Sequence, residues 1–219
     1  MRHAEVAYFG DSGRPRRPDD VMLTPAGEEQ ARAARDALAA IGIDRVVTSG
    51  LRRTVETARI VSDLAPEEWP ELAEIRSGAL ADIPDDELEE AFVRAWRGVV
   101  PEATPFLGGE TVGELFDRVL PALERLLAGD WDALLAVLHG GVNRAILSYA
   151  LTGARTFLGS FEQAPACVNV LDVGDSWVVR AVGWTPYDPA HRRARTTTME
   201  ELWEQYRPYR AKGATRGDD

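Results

Sequence analysis

Two of the chain's three histidines sit where a side chain can do chemistry. His3 follows Arg2 at the very start, and His139 ends the apolar run Val137-Leu138 ahead of Gly140-Gly141. A histidine just past a hydrophobic strand, with glycine behind it, lies at the carboxyl edge of a sheet where a helix begins. Open α/β sheets hold their ligands there. The two imidazoles are therefore expected in one pocket, joined by Arg2 and Arg53, with Glu74 available from a loop. Two guanidiniums and two imidazoles around one point suit a dianion, because arginine offers planar, permanently charged, paired donors that match phosphoryl oxygens. Helix-start amides after Ser49 and Gly141 would add donors of the same sign. A neutral histidine in such a cage can attack phosphorus while the arginines stabilise the equatorial oxygens, and a carboxylic acid must then protonate the leaving oxygen.

These residues need elements to position them. Thr24-Pro25 reads as an N-cap and first turn, and Ala31, Ala34, Leu38 and Ile41 form the apolar stripe of a helix that Gly42 ends. Residues 44–48 read as a strand, Ser49-Gly50 as a turn and 51–64 as a helix with Arg52 and Arg53 in its first turn. The stretch 66–84, which carries Glu74, is irregular, and the acid-rich stretch 85–97 is expected to be helical. Thr111-Val112-Gly113-Glu114 is a capping box ahead of apolar residues at helical spacing up to Leu127. Residues 133–138 read as a buried strand, 142–151 as a helix, 167–173 and 177–183 as a hairpin or two neighbouring strands, and 199–209 as a short amphipathic helix. The pattern predicts an α/β domain. One domain over 1–210 is expected, with a helical cap-like insertion over about 80–130 and a flexible tail over 211–219. A histidine at position 3 lacks the strand that should hold it, so the first strand reads as truncated. The expectation is a true start upstream, with an internal valine codon read as Met1.

Composition bounds the function. At 219 residues and 45% apolar, the chain can bury a full core without disulfide or metal. Acids outnumber bases 36 to 25, which excludes a broad phosphate-backbone footprint, so no nucleic-acid partner is expected. The single cysteine, Cys167, excludes an intrachain disulfide and a thiolate zinc cage, and reads as a small buried residue in a reducing cytoplasm. No run of about 18 apolar residues exists, so no membrane span is expected. His191 stands alone among arginines, and no ligand spacing suits zinc, so neither metal nor cofactor is expected. Gly10-Asp11-Ser12-Gly13 is superficially like a protease nucleophile segment, but it lacks the histidine and aspartate partners and reads as a turn-rich loop over 10–18. His139-Gly140-Gly141 could belong to an esterase oxyanion loop, yet no Gly-x-Ser-x-Gly elbow occurs.

Several blocks together resemble the histidine phosphatase superfamily, the phosphoglycerate mutase-like or branch 1 group. They are Arg2-His3-Ala4-Glu5, Leu23-Thr24-Pro25-Ala26-Gly27-Glu28, Ser49-Gly50-Leu51-Arg52-Arg53-Thr54, Leu72-Ala73-Glu74 with Gly78, Gly109-Glu110-Thr111, and His139-Gly140-Gly141-Val142-Asn143-Arg144. The resemblance implies His3 as the phosphorylated nucleophile, Arg2 and Arg53 as phosphate ligands, His139 as the second phosphate-binding histidine and Glu74 as the proton donor. It selects Arg53 over Arg52, since the ligand lies two residues after the leucine. It also implies a metal-independent reaction on an α/β three-layer sandwich with a mostly parallel central sheet, helices on both faces and helical segments between Glu74 and His139 partly covering the mouth. Ala4 replaces a usual glycine, Val6 and Phe9 replace a hydroxyl residue and an asparagine, and Leu80-Ala81-Asp82 replaces the usual sequence after Gly78. The mouth is thus expected to be apolar, with Trp69, Trp96 and Trp131 nearby in sequence. The expected activity is hydrolysis of a small-molecule phosphomonoester, with phosphoglycerate mutase-type transfer and non-catalytic phospholigand binding as alternatives. The oligomeric state stays open, a homodimer included.

Overall fold

The computed structural model describes residues 1–11, 14–191 and 196–214. Helix α1 (Pro25–Leu38) leads to strand β1 (Arg45–Thr48), helix α2 (Arg52–Val61) and the short strand β2 (Glu67–Glu68). Helix α3 (Asp85–Val93), strand β3 (Val99–Val100), helix α4 (Val112–Leu127), strand β4 (Leu134–Val137) and helix α5 (Gly140–Thr152) follow. The described chain closes with β5 (Phe157–Leu158), the antiparallel hairpin of β6 (Val168–Val173) and β7 (Trp177–Trp184), and helix α6 (Thr198–Ala214). Among the described residues no helix is long and apolar enough to cross a membrane.

The parallel sheet runs β2-β1-β4, with Val46 opposite Leu135 and Thr48 opposite Val137. Residues Met1 to His3 continue it. Leu138 donates to the Met1 carbonyl at 2.9 Å and its own carbonyl accepts from His3 at 2.9 Å, while on the other side Arg2 donates to Cys167 and Ala166 to His3, each at 3.0 Å. Three residues therefore link the sheet to the stretch entering β6, and this pairing places His3 beside the end of β4. Cys167 is buried and unbridged.

Helices cover both faces. Ala31, Ala34 and Leu38 of α1 and Ala58 and Val61 of α2 pack on Val46, Leu135 and Val137. On the opposite face Leu115, Phe116, Val119 and Leu123 of α4 meet Val142, Ala145 and Ile146 of α5. The capping box of α4 is formed, with Thr111 accepting from the Glu114 amide and Glu114 from the Thr111 amide. Gly153, with φ of 66°, ends α5 in the left-handed conformation that glycine adopts freely.

The expected cap over 80–130 divides in two. Helix α4 belongs to the sheet core, so it is not part of a cap, whereas α3 turns Leu88 and Phe92 onto Met199 and Tyr206 of α6. Helix α6 continues to Ala214, so 211–214 is helical rather than tail, and 215–219 lie outside the described residues. Helix α3 also ends at Val93, short of the predicted 97, since its C-cap Arg94 leaves helical geometry at φ −108° and ψ 1°. Ser12-Gly13 of the 10–18 loop likewise lies outside the described residues.

One close approach sets how α1 meets the site. A Cβ on Gly27 would run into the Glu5 carbonyl oxygen and lie 3.1 Å from the Glu5 carbon and nitrogen. Thr24 donates to a Glu5 carboxylate oxygen at 2.7 Å and Gln30 accepts from the Glu5 amide at 3.0 Å, so α1 is laced to the backbone just after His3. Gly27→Ala should force these apart and cost about 1–3 kcal/mol of stability, read as a lower urea midpoint at unchanged slope.

Candidate active site

His3 leaves the sheet edge with its Nδ1 2.8 Å from the Ala4 carbonyl. A carbonyl can only accept, so Nδ1 carries the proton and the lone pair is on Nε2. The Tyr8 hydroxyl lies 3.3 Å from that Nε2. His139 caps the start of α5, and its ring stands 5.3 Å from that of His3 at an interplanar angle of 62°. Its Nε2 is 2.8 Å from Ser49 Oγ, in the turn between β1 and α2. Thr54 commits its own hydroxyl proton to the Leu51 carbonyl at 2.7 Å. Ser49 Oγ also lies 3.1 Å from Thr54 Oγ1, so its proton has two acceptors within reach; directed at His139 Nε2, it leaves the ring proton on Nδ1.

Both arginines that the sequence singled out are buried, Arg2 at 6% and Arg53 at 2% exposure. Arg2 donates from Nη1 to the Gln163 carbonyl and, at 2.9 Å, to Thr198 Oγ1 at the start of α6. Arg53 donates to the Pro18 carbonyl at 2.6 Å, and its guanidinium lies 5.8 Å from the Tyr8 ring centre. Arg52 points elsewhere, since adjacent helix residues diverge by about 100°; it is half-exposed and pairs with Glu56 at 2.8 Å. Among the described residues, Arg2 Nε, Arg53 Nε and His139 Nδ1 are buried without a hydrogen-bond partner. Burial holds both imidazoles well below their ordinary range, and the guanidiniums of Arg2 and Arg53 add to the effect, so both rings are neutral.

Glu74 comes from the irregular stretch after β2. Its Oε1 accepts from the Ile75 and Gly141 amides, each at 3.0 Å. A Cβ on Gly140 would lie 3.6 Å from Glu74 Oε2 and 4.0 Å from Arg2 Nε, so carboxylate and guanidinium flank the same glycine. On Gly141 it would come within 2.7 Å of Glu74 Oε1 and 3.0 Å of Ile75, so a side chain there would push the carboxylate off the Gly141 amide. Behind Glu74 stands Glu110, whose side chain is 1% exposed and pairs with Arg118 at 2.7 Å. Burial alone would push the Glu110 carboxyl up, but hydrogen bonds from Arg118 and the Arg76 amide more than offset it and the net direction is down. Arg118 in turn donates to the carbonyls of Glu71, Ala73 and Glu74 at 2.7, 2.6 and 3.1 Å, fixing the loop that presents Glu74.

Arg2, Tyr8, Glu74, Gly140, Gly141 and Arg144 line the inner end of a cavity of about 520 Å³. Neither imidazole lines it; Tyr8 stands between the cavity and His3 Nε2. Of the three tryptophans expected near the mouth only Trp96 lines it. Trp69 lies between Arg45 and Arg125, and Trp131 donates to the Leu126 carbonyl. Phe9 lines the mouth, whereas Val6 bridges to Leu23. Sequence reasoning missed Tyr8, Gln163, Thr198 and Arg118. Only Arg118 had a neighbouring signal, in the Gly109-Glu110-Thr111 block.

Comparison with known proteins bears on this arrangement. The family model of the histidine phosphatase superfamily (branch 1) matches residues 1–185. The chain belongs to that superfamily. It is 29% identical over 190 residues to 2-carboxy-D-arabinitol-1-phosphatase of Triticum aestivum, covering 78% of this chain and 36% of that one. The chain thus spans little more than a third of that relative's length. Phosphoglycerate mutase-like protein 4 of Arabidopsis thaliana is 28% identical over 206 residues, covering 84% and 83% of the two chains. The mycobacterial glucosyl-3-phosphoglycerate phosphatase structure with VO3 superposes with a TM-score of 0.68 at 22% identity, covering 83% and 96%. That likeness extends the fold assignment to the parallel sheet and its flanking helices.

Two expectations follow from the site's geometry. Neutral buried imidazoles bind fewer protons than unfolded ones, so stability falls as pH drops through the ordinary histidine value of about 6.5. Melting temperature should decline from pH 8 to pH 5.5, and His139→Gln should flatten the part of the decline below about pH 6.5. Tyr8→Ala should uncover His3, so that diethyl pyrocarbonate modifies the ring several-fold faster than in the parent protein.

Proposed function

We propose that the chain hydrolyses a phosphomonoester through a phosphohistidine intermediate, without a metal ion. What supports this reading is that His3, its Nδ1 proton given to the Ala4 carbonyl, has its ring 5.3 Å from that of His139, while Arg2 Nε, Arg53 Nε and His139 Nδ1 are buried with no protein partner among the described residues. Arg2 Nε, Arg53 Nε and His139 Nδ1 suit three donors to one phosphoryl group, and the start of α5 adds the positive end of a helix. Substrate entry displaces the Tyr8 hydroxyl from His3 Nε2.

In the first step the Nε2 lone pair forms a bond to phosphorus and the ester P–O bond breaks. The departing oxygen takes a proton from Glu74, which must therefore enter the step protonated. The two arginines and His139 stabilise the equatorial oxygens. In the second step Glu74, now a carboxylate, takes a proton from water as the water oxygen bonds to phosphorus and the P–N bond breaks. This releases inorganic phosphate and restores neutral His3. Because Glu74 sits on the Gly141 amide beside Arg2, one carboxyl group can serve both steps. Free, buried Cys167 supports a reducing, cytoplasmic setting.

The test is phosphate release from p-nitrophenyl phosphate in excess chelator. His3→Ala should fall to background, Arg53→Met should lose about 10²–10³-fold in kcat and Glu74→Gln about 10²–10⁴-fold. Acid-quenched labelling should trap phosphate on the parent protein and none on His3→Ala. Undiminished turnover by His3→Ala would refute the reading. Isomerisation of phosphoglycerate faster than phosphate release would favour mutase-type transfer instead.

A further inference from the structure

We infer that the outer half of the cavity is a leaving-group subsite for a bulky apolar alcohol, so that the substrate is an aromatic or long-chain alkyl phosphomonoester. This rests on the reading that the inner end, between Arg2, Glu74 and Gly140, takes the phosphoryl group. The cavity measures about 520 Å³, within the range of about 300–1,000 Å³ that holds drug-sized organic molecules and far larger than a phosphate ion needs. Beyond its inner end it is walled by Phe9, Leu80, Phe92, Trp96, Met199 and Leu202.

That wall is rigid. Trp96 stacks on Phe106 with ring centres 4.8 Å apart and 14° between planes, and Phe92 stacks on Tyr206 at 5.8 Å. An apolar group entering a wall already held in place immobilises few side chains, so burial converts efficiently into binding. The cations near the wall are poorly placed to grip a polar leaving group. Arg144 is occupied by the carbonyls of Gly140 and Gly159 and by Glu162. Arg14 and Arg16 stand exposed at the rim, where solvent and salt weaken a charge.

The wall is also registered to the inner end. Thr198 donates to Glu162 at 2.8 Å and accepts from Arg2 at 2.9 Å, so the helix carrying Met199 and Leu202 is anchored on a residue of the phosphoryl end. Helix α6 lies beyond the matched span 1–185, so Met199 and Leu202 are not part of what the superfamily model describes.

The test uses the full chain and an alkyl series of ethyl, butyl and octyl phosphate, whose leaving groups have similar basicity, with naphthyl phosphate and phosphoglycerate alongside. Each methylene that reaches the wall should raise kcat/KM about three- to fourfold, and octyl should exceed ethyl phosphate at least about tenfold. Leu202→Gln and Phe9→Ser, checked for unchanged melting temperature, should each reduce the octyl-to-ethyl ratio several-fold. General damage would lower both esters and leave the ratio intact. A preference for naphthyl over octyl phosphate assigns the wall to a flat ring and the reverse assigns it to a chain; either upholds the subsite. A flat or falling alkyl series, or phosphoglycerate as the best substrate, overturns it while leaving hydrolysis itself standing. Failure to release phosphate from any ester, naphthyl phosphate included, would instead overturn the phosphoryl reading on which the subsite rests.

Discussion

The constraint on which the rest of the structure depends is the burial of positive charge without neutralising it. A guanidinium removed from water normally requires a carboxylate, because an unpaired buried charge is strongly destabilising. Arg2 and Arg53 instead give hydrogen bonds to the backbone carbonyls of Gln163 and Pro18, and Arg2 gives another to the Thr198 hydroxyl. Neutral dipoles fix the two side chains while leaving their charge to act on whatever lies between them. The same charge, together with burial, keeps both imidazoles unprotonated. Much of the surrounding chain supplies those dipoles or fixes the residues that do.

Gln163 illustrates the cost of such a design. While its backbone carbonyl serves Arg2, its side chain is itself fully buried and must be satisfied, which it is by Asn143 and Asn169 at 3.1 and 2.8 Å. Asn169 then accepts from the Gly183 amide at 2.8 Å, tying the hairpin to the site. Glu110 and Arg118 play the corresponding role on the acid side, holding the Glu74 loop through three backbone carbonyls. Polar groups in a dry interior come as closed networks, since a partly satisfied one would destabilise more than an apolar core.

What was legible in the sequence follows from the range of the forces involved. Helix starts at Thr24 and Thr111 depend on residues three positions away, and their caps form as the local pattern requires. His3, Arg53 and His139 could be brought together on paper because each follows or begins an element at one sheet edge. Arg53 was separable from Arg52 through the family pattern, and the helix geometry gives the physical reason. Strands β2, β3 and β5, of two residues each, leave no periodicity to read. Tyr8, Gln163 and Thr198 were illegible for a different reason. Their partners are set by how distant segments cross, and nothing in the residues around them differs from an ordinary loop or helix start. The cap was misread over α4 because an amphipathic helix looks the same whether its apolar face meets a sheet or overhangs a mouth.

Arg2 and Thr198 are separated by 196 positions, yet they share a hydrogen bond at the centre of the site. On a ribosome the first of these residues emerges 196 positions ahead of the second. A nascent chain can close its sheet and both cores while the guanidinium still lacks its late hydroxyl partner and the apolar wall is still missing. The proposed site is thus left incomplete until α6 has been made, and a product cut after β7 would carry the residues assigned to the reaction on an unfinished frame.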